Sequence, residues 1–226
     1  MLLKAMKDIS HEVAVGHINK YFVVRPNGRP LYTGSRFETF AGGGDVVEPN
    51  RVTPADLIAV SMLSVHVPGQ AALGIVEKLD GEIEKLLKPL TAELRLENLT
   101  SEQFSLLLDD GSPADDIWKL LRQRADLWGI GQTTASKILA RKRPHLVPNY
   151  DSVVAEQVGM RHSGGQWRIW WEAFQGGEGR RFAERLELIR ADSGQLHLSV
   201  LRVIDIVLWM DGRGAEKTRE TVGDSD

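Results

Sequence analysis

Residues Leu127 to Asp151 read LWGIGQTTASKILARKRPHLVPNYD, and the interpretation of the whole chain turns on this stretch. Gly129 and Gly131 flank Ile130, an arrangement that lets the backbone turn tightly while the middle side chain plugs the gap between two helices. Gln132, Thr133 and Thr134 open the second helix. Their unpaired N–H groups and the positive end of the helix dipole face the turn and make a seat for a phosphate. Lys137 and Arg141, four residues apart, fall on one helical face and are expected to flank that seat. Contacts of this kind hold a nucleic-acid backbone without reading its sequence.

Charge along the chain supports this reading better than net charge does. The formal net charge is −3, which excludes a uniformly basic nucleic-acid coat. Residues 75 to 116 are strongly acidic, and the sign then reverses: Lys119, Arg122, Arg124, Lys137, Arg141, Lys142 and Arg143 face only Asp126 between 119 and 143. Such a run predicts either a phosphate-facing surface or a solvated helix face. Composition is that of a globular protein, with 42% apolar and 26% charged residues. The chain has no cysteine, which rules out disulfides, thiolate zinc sites and a cysteine-ligated iron–sulfur cluster. The absence of a long apolar run or a signal-peptide pattern predicts a cytoplasmic protein without a membrane partner.

Outward from the opening stretch, the pattern is mainly helical. Thr53 is placed to N-cap a helix over about 54 to 66, with Pro54 in its first turn, and amphipathic segments follow to residue 110. Another helix from Ser112 and Pro113 runs toward Leu127. Further helices are expected beyond Asp151, with Gly212 as a C-terminal stop. Residues 1–50 are expected to form an N-terminal extension with short strands, because INKYFVV, RPNGRP and LYTG combine strand formers with turn residues in a small β-hairpin-like segment. Residues 51–212 would be the helical domain, and 213–226 a disordered polar tail.

The pattern L-x-G-I-G-x-x-T-A-x-x-I-L resembles the hairpin of the helix-hairpin-helix DNA glycosylase superfamily, of the endonuclease III and adenine-glycosylase type. The resemblance continues to P-x-x-D-S-V-V, where Asp151 lies twenty residues beyond Gly131, at the spacing of that family's catalytic Asp. Weaker echoes extend it over roughly residues 54 to 212. It implies a helical glycosylase-like fold that binds double-stranded DNA as a monomer, flips one nucleotide out and cleaves its N-glycosidic bond through an oxocarbenium-like state. Asp151 would stabilise that charge and orient water. Thr133 stands where lyase-active members carry a Schiff-base lysine, which implies hydrolysis without strand cleavage. No cofactor is expected, although the hairpin turn could seat a monovalent cation.

The remaining candidates are open to two readings each. His66 falls near the position that fills the gap left by an extruded base, or is simply a polar residue at a helix end. Asn149, Tyr150, Trp167, Trp170 and Trp171 are candidates for a base pocket; the three tryptophans are also spaced as a buried helical face. Trp128 packs in the hairpin or touches DNA, and Arg161 and His162 are further candidates for backbone contact. Asp151 itself is a good N-cap for the helix that follows. Two other functions fit the same sequence: a non-catalytic DNA-binding module that keeps only the hairpin, and a protein-interaction scaffold using the acidic helices.

Overall fold

The computed structural model describes residues 1–122, 128–161 and 163–223, the last nine of these as backbone only. Arg124, Asp126, Leu127 and His162, singled out above, lie outside the described residues. The protein is mainly helical: α1 (Leu2–Lys7), α2 (His11–Tyr21), α3 (Pro54–Ser61), α4 (Gly69–Leu73), α5 (Asp80–Leu87), α6 (Ser101–Leu108), α7 (Pro113–Arg122), α8 (Gln132–Lys142), α9 (Ser152–Gln157), α10 (Gln166–Ala173), α11 (Gly176–Asp192) and α12 (Val200–Gly223). Among the described residues, no helix is long and apolar enough to cross a membrane.

Helix starts follow local chemistry. Thr53 accepts from the Asp56 N–H while the Asp56 carboxylate accepts from the Thr53 N–H, a reciprocal cap that fixes the entry to α3. Thr100 and Gln103 do the same for α6. The N-terminal region departs from expectation. Ser10 caps α2, and Ala14, Ile18 and Tyr21 recur on one buried helical face, so the INKY residues end a helix rather than begin a strand. Only the turn survives of the expected hairpin, with a single antiparallel bridge between Val24 and Pro30.

α12 is the central element, packed on α1, α2, α9 and α11. Its residues Leu201, Val203, Ile204, Ile206, Val207 and Leu208 are all buried. It does not stop at Gly212. A Cβ there would lie 2.6 Å from Val153 Cγ1, so the glycine lets α9 approach closely, and the helix continues to Gly223 where polar composition predicted disorder. The α3 helix packs on α8, α7 packs on both α5 and α8, and α10 packs on α11.

The segment 33–50 has little regular structure and is organised from behind by buried cations. Arg141 donates to the carbonyls of Phe37, Glu38 (2.7 Å) and Phe40 (2.6 Å). Arg143 donates to Pro49 O (2.6 Å) and Asn50 Oδ1 (2.7 Å). Asp56 Oδ1 and Oδ2 pair with Arg141 and Lys142 at 3.1 and 3.0 Å. Backbone carbonyls that would otherwise be buried without partners are thereby satisfied by side chains.

A candidate active site beside the glycine turn

Gly129 takes a φ of 85°, accessible at little cost only to glycine, and an added Cβ would meet Pro68 at 2.9 Å. Ile130 is buried between the packed elements as expected, and Gly131 is the N-cap residue of α8 with no side chain capping the helix. The turn therefore lies against the loop that follows α3. Trp128 packs rather than projecting: its ring lies over Gly74 and its indole N–H donates to Leu121 O (3.0 Å).

Loop 148–151 is tied to α8 through one serine. Ser136 Oγ donates to Pro148 O (3.1 Å) and accepts from the Tyr150 N–H (2.9 Å). Gln166 Nε2 holds Asn149 O from the other side at 2.7 Å. These bonds deliver Asp151 to a defined place. Its Oδ1 accepts from the Val153 N–H (3.1 Å), the capping bond expected for α9, while Oδ2 accepts from Lys137 Nζ at 3.2 Å. Lys137 also donates to Leu63 O (3.0 Å), and its side chain is 4% exposed against 20% for Asp151.

Asp151 and Lys137 line a cavity of about 460 Å³ together with Thr133 from the first turn of α8. The far residues of this cavity come from segments given no functional role above. Tyr21 and Tyr32 stack with ring centroids 5.3 Å apart, and Trp209 meets Tyr32 edge-on at 5.5 Å. Arg202 and Asp205 of α12 also line it. Both are buried: Arg202 pairs with Glu38 at 2.6 Å and with Asp205, and donates to the Tyr21 hydroxyl at 3.0 Å. Burial, reinforced by the carboxylates of Glu38 and Asp205 and partly offset by Arg202, raises the Tyr21 pKa and keeps the phenol neutral. Asp205 is pushed up by burial and by the nearby Asp151 charge, against the opposing pull of Arg202, Asn149 and Lys137.

Several expectations are corrected here. Lys137 and Arg141 do not flank a phosphate seat. Both are buried, and Arg141, Lys142 and Arg143 form interior bonds, because a helix wedged between α3 and α7 has no solvent face to offer them. Burial pushes the Arg143 pKa down to about 10. None of Asn149, Tyr150, Trp167, Trp170 and Trp171 lines the Asp151 cavity. Trp170 and Trp171 are core, the latter against Phe104 and bonded to Leu99 O (2.9 Å). Trp167 lines a separate cleft with Phe104 and Trp118; Tyr150 is buried, and Asn149 reaches Asp205 instead.

The other predicted residues divide by exposure. Gly131 is exposed, Gln132 and Thr133 are partly so, and Thr134 is buried. The Gln132 side chain is occupied, accepting from Ser163 Oγ at 2.8 Å. His66 is exposed, one residue beyond Val65, which lines the cavity. Among the described residues, no cluster of three or more His, Cys, Asp or Glu side chains is arranged to hold a metal ion.

The residues that sequence reading missed, Tyr21, Tyr32, Arg202, Asp205 and Trp209, did leave one signal. Arg202 and Asp205 stand three apart within the otherwise apolar run LSVLRVIDIVLWM, and charges inside a buried helix need a reason. Fold and site together describe a helical protein with a carboxylate–lysine pair at an aromatic-walled cavity. The chain belongs to the family described as a family of unknown function, DUF6308, whose model matches residues 14–212. Comparisons with curated proteins and with solved structures found no match for the chain.

Proposed function

We propose that the protein is a monofunctional DNA glycosylase of the helix-hairpin-helix type, hydrolysing the N-glycosidic bond of a damaged or modified base in double-stranded DNA. The observation that carries this reading is the position of Asp151. A carboxylate spaced as in that superfamily lines a cavity roomy enough for a small ligand, next to aromatic rings and beside a helix N-terminus whose amides no side chain caps.

In this reading a DNA phosphate sits on the α8 N-terminus, and exposed His66 enters the gap left by the flipped nucleotide. Asp151 faces C1′ as the bond to the base stretches. Its negative charge stabilises the oxocarbenium-like sugar, and it orients the water that adds to C1′ and accepts its proton. Capping and catalysis coexist in one side chain because they use different oxygens: Oδ1 holds the helix, and Oδ2 lies on the Lys137 side.

Thr133 lines the cavity but offers no amine. Lys137 lies one helical turn beyond Thr133, and its Nζ is held between Asp151 Oδ2 and the Leu63 carbonyl, so in this reading it positions the carboxylate rather than attacking the sugar. The expected chemistry is therefore hydrolysis without strand scission.

Duplexes carrying a panel of damaged and modified bases, including bulky ones, test the reading. The expected result is alkali-labile abasic sites from the wild-type protein and none from Asp151→Asn, with DNA binding retained. Borohydride should trap no protein–DNA adduct. Excision absent across the panel with salt-sensitive DNA binding intact would leave a non-catalytic binding module in which Asp151 is only a cap.

A further inference from the structure

Along α12, Arg202, Asp205, Ile206, Trp209 and Arg213 recur at helical spacing and line the same cavity as Asp151. Asp205 stands out among them. Its side chain is 7% exposed, and Oδ2 accepts from both Asn149 Nδ2 (3.1 Å) and Arg202. Among the described residues Oδ1 accepts no hydrogen bond, and it is not one of the fully enclosed polar atoms that lack a partner. An oxygen that stays open on a residue lining the cavity is available to a donor on whatever enters.

The charges in the lining narrow what can enter. Lys137, Arg202 and Arg213 oppose only Asp151 and Asp205. The aromatic faces already carry guanidinium groups, with Arg202 over Tyr21 at 5.4 Å and Arg213 over Trp209 at 5.2 Å. A permanently cationic N-alkylpurine would meet like charge against those rings. A neutral heterocycle, by contrast, can lie against Tyr32 and Trp209.

Hydrogen bonding narrows it further. A lone carboxylate oxygen accepts well from an exocyclic amino group, whose hydrogens stand clear of the ring. The ring N–H of an oxo base such as uracil is flanked by carbonyl oxygens that would press against the carboxylate. Resting on the glycosylase reading above, we infer that Asp205 is the base-reading residue of this cavity and that it selects a neutral base carrying an exocyclic amino group.

Binding rather than excision tests this, so that its failure is separable from failure of the glycosylase reading. The wild-type full chain is titrated against paired duplexes that differ only in amino versus oxo: cytosine against uracil, and adenine against hypoxanthine. Each test base lies opposite an abasic analogue to lower the cost of extrusion, and carries a 2′-fluorine so that the glycosidic bond resists hydrolysis. Tighter binding of the amino member of each pair, by about tenfold or more, is expected. In Asp205→Asn, which turns one oxygen into a donor, the preference should collapse or reverse. Equal binding within the wild-type pairs, tighter binding of the oxo members, an unchanged preference in Asp205→Asn, or no DNA binding would each overturn the assignment. The wild-type comparison stands even where the variant folds poorly. Selective binding without excision of any base would sink the glycosylase reading and leave the recognition site in place.

Discussion

Lys137 holds one oxygen of Asp151 and the carbonyl of Leu63 from a buried position, so one side chain fixes both the proposed catalytic group and the loop after α3. Lys137→Met should leave a carboxylate and a carbonyl without their donor. Urea unfolding is expected to show a loss of about 2 kcal/mol, below the roughly 3–5 kcal/mol of fully buried broken pairs because Asp151 keeps some solvent contact. Excision should fall at least as steeply, on the order of a hundredfold. Asp151→Asn separates the two roles of that position. Asparagine caps a helix about as well as aspartate and its amide oxygen can still accept from Lys137, but the buried lysine loses its counter-charge, so a stability loss of about 1–2 kcal/mol is expected while hydrolysis is abolished. A loss below about 0.5 kcal/mol would mean that the cap, rather than the Lys137 ion pair, dominates the energetics there.

At the scale of elements, α8 is a structural spine whose cations point inward. Arg141→Gln should destabilise the fold by about 3 kcal/mol and open residues 37–50 to limited proteolysis, since it strips the guanidinium donors from three carbonyls and leaves Asp56 with Lys142 as its one remaining cationic partner. A phosphate-facing arginine would behave differently, lowering the slope of DNA affinity against salt by about one unit with little effect on stability. The loop after α8 carries a pH-sensitive contact. His145 Nδ1 lies 3.1 Å from Arg95 Nη1, and the His145 carbonyl accepts from the Leu96 N–H at 2.9 Å. Burial first, and the Arg95 charge second, lower the His145 pKa below its ordinary 6.5. Because the unfolded chain takes up this proton before the folded one does, stability is full above about pH 6.5 and declines as pH falls through the folded-state value. Urea midpoints measured from pH 7.5 to 5 should drop more for wild type than for His145→Gln. Parallel curves would show that the ring does not contribute.

For the whole molecule, the N-terminal residues are part of the same folded unit as the rest. α2 packs on α11 and α12, and Tyr21 and Tyr32 line the same cavity as Asp151. Deleting residues 1–34 should therefore give a chain that lacks cooperative thermal unfolding, whereas a detachable extension would leave the melting curve intact. The acidic stretch between residues 75 and 116 is spent partly on internal pairs, such as Arg51 with Asp80 at 2.8 Å and Lys119 with Asp115 at 2.6 Å, which limits how much of it is free to recruit a partner.

The sequence by itself determined the local features: the glycine turn before α8, the capping of α3 and α9, the helical class of the chain, and Asp151 at the start of α9. Each of these depends on neighbours within a few residues, where steric and hydrogen-bonding rules act without knowledge of the fold. Tertiary structure decided which way the cations of α8 face and which aromatic residues surround Asp151. The spacing of Lys137 and Arg141 is the same for a DNA-facing and a core-facing helix face, and only the packing of α3 and α7 on α8 removes the solvent that the first would need. Likewise Trp167, Trp170 and Trp171 are close to Asp151 in the chain, whereas Tyr21, Tyr32 and Trp209 reach the cavity from the two ends of it. Bringing distant segments together is the work of burial across the entire core, a non-directional force that no short window of sequence records.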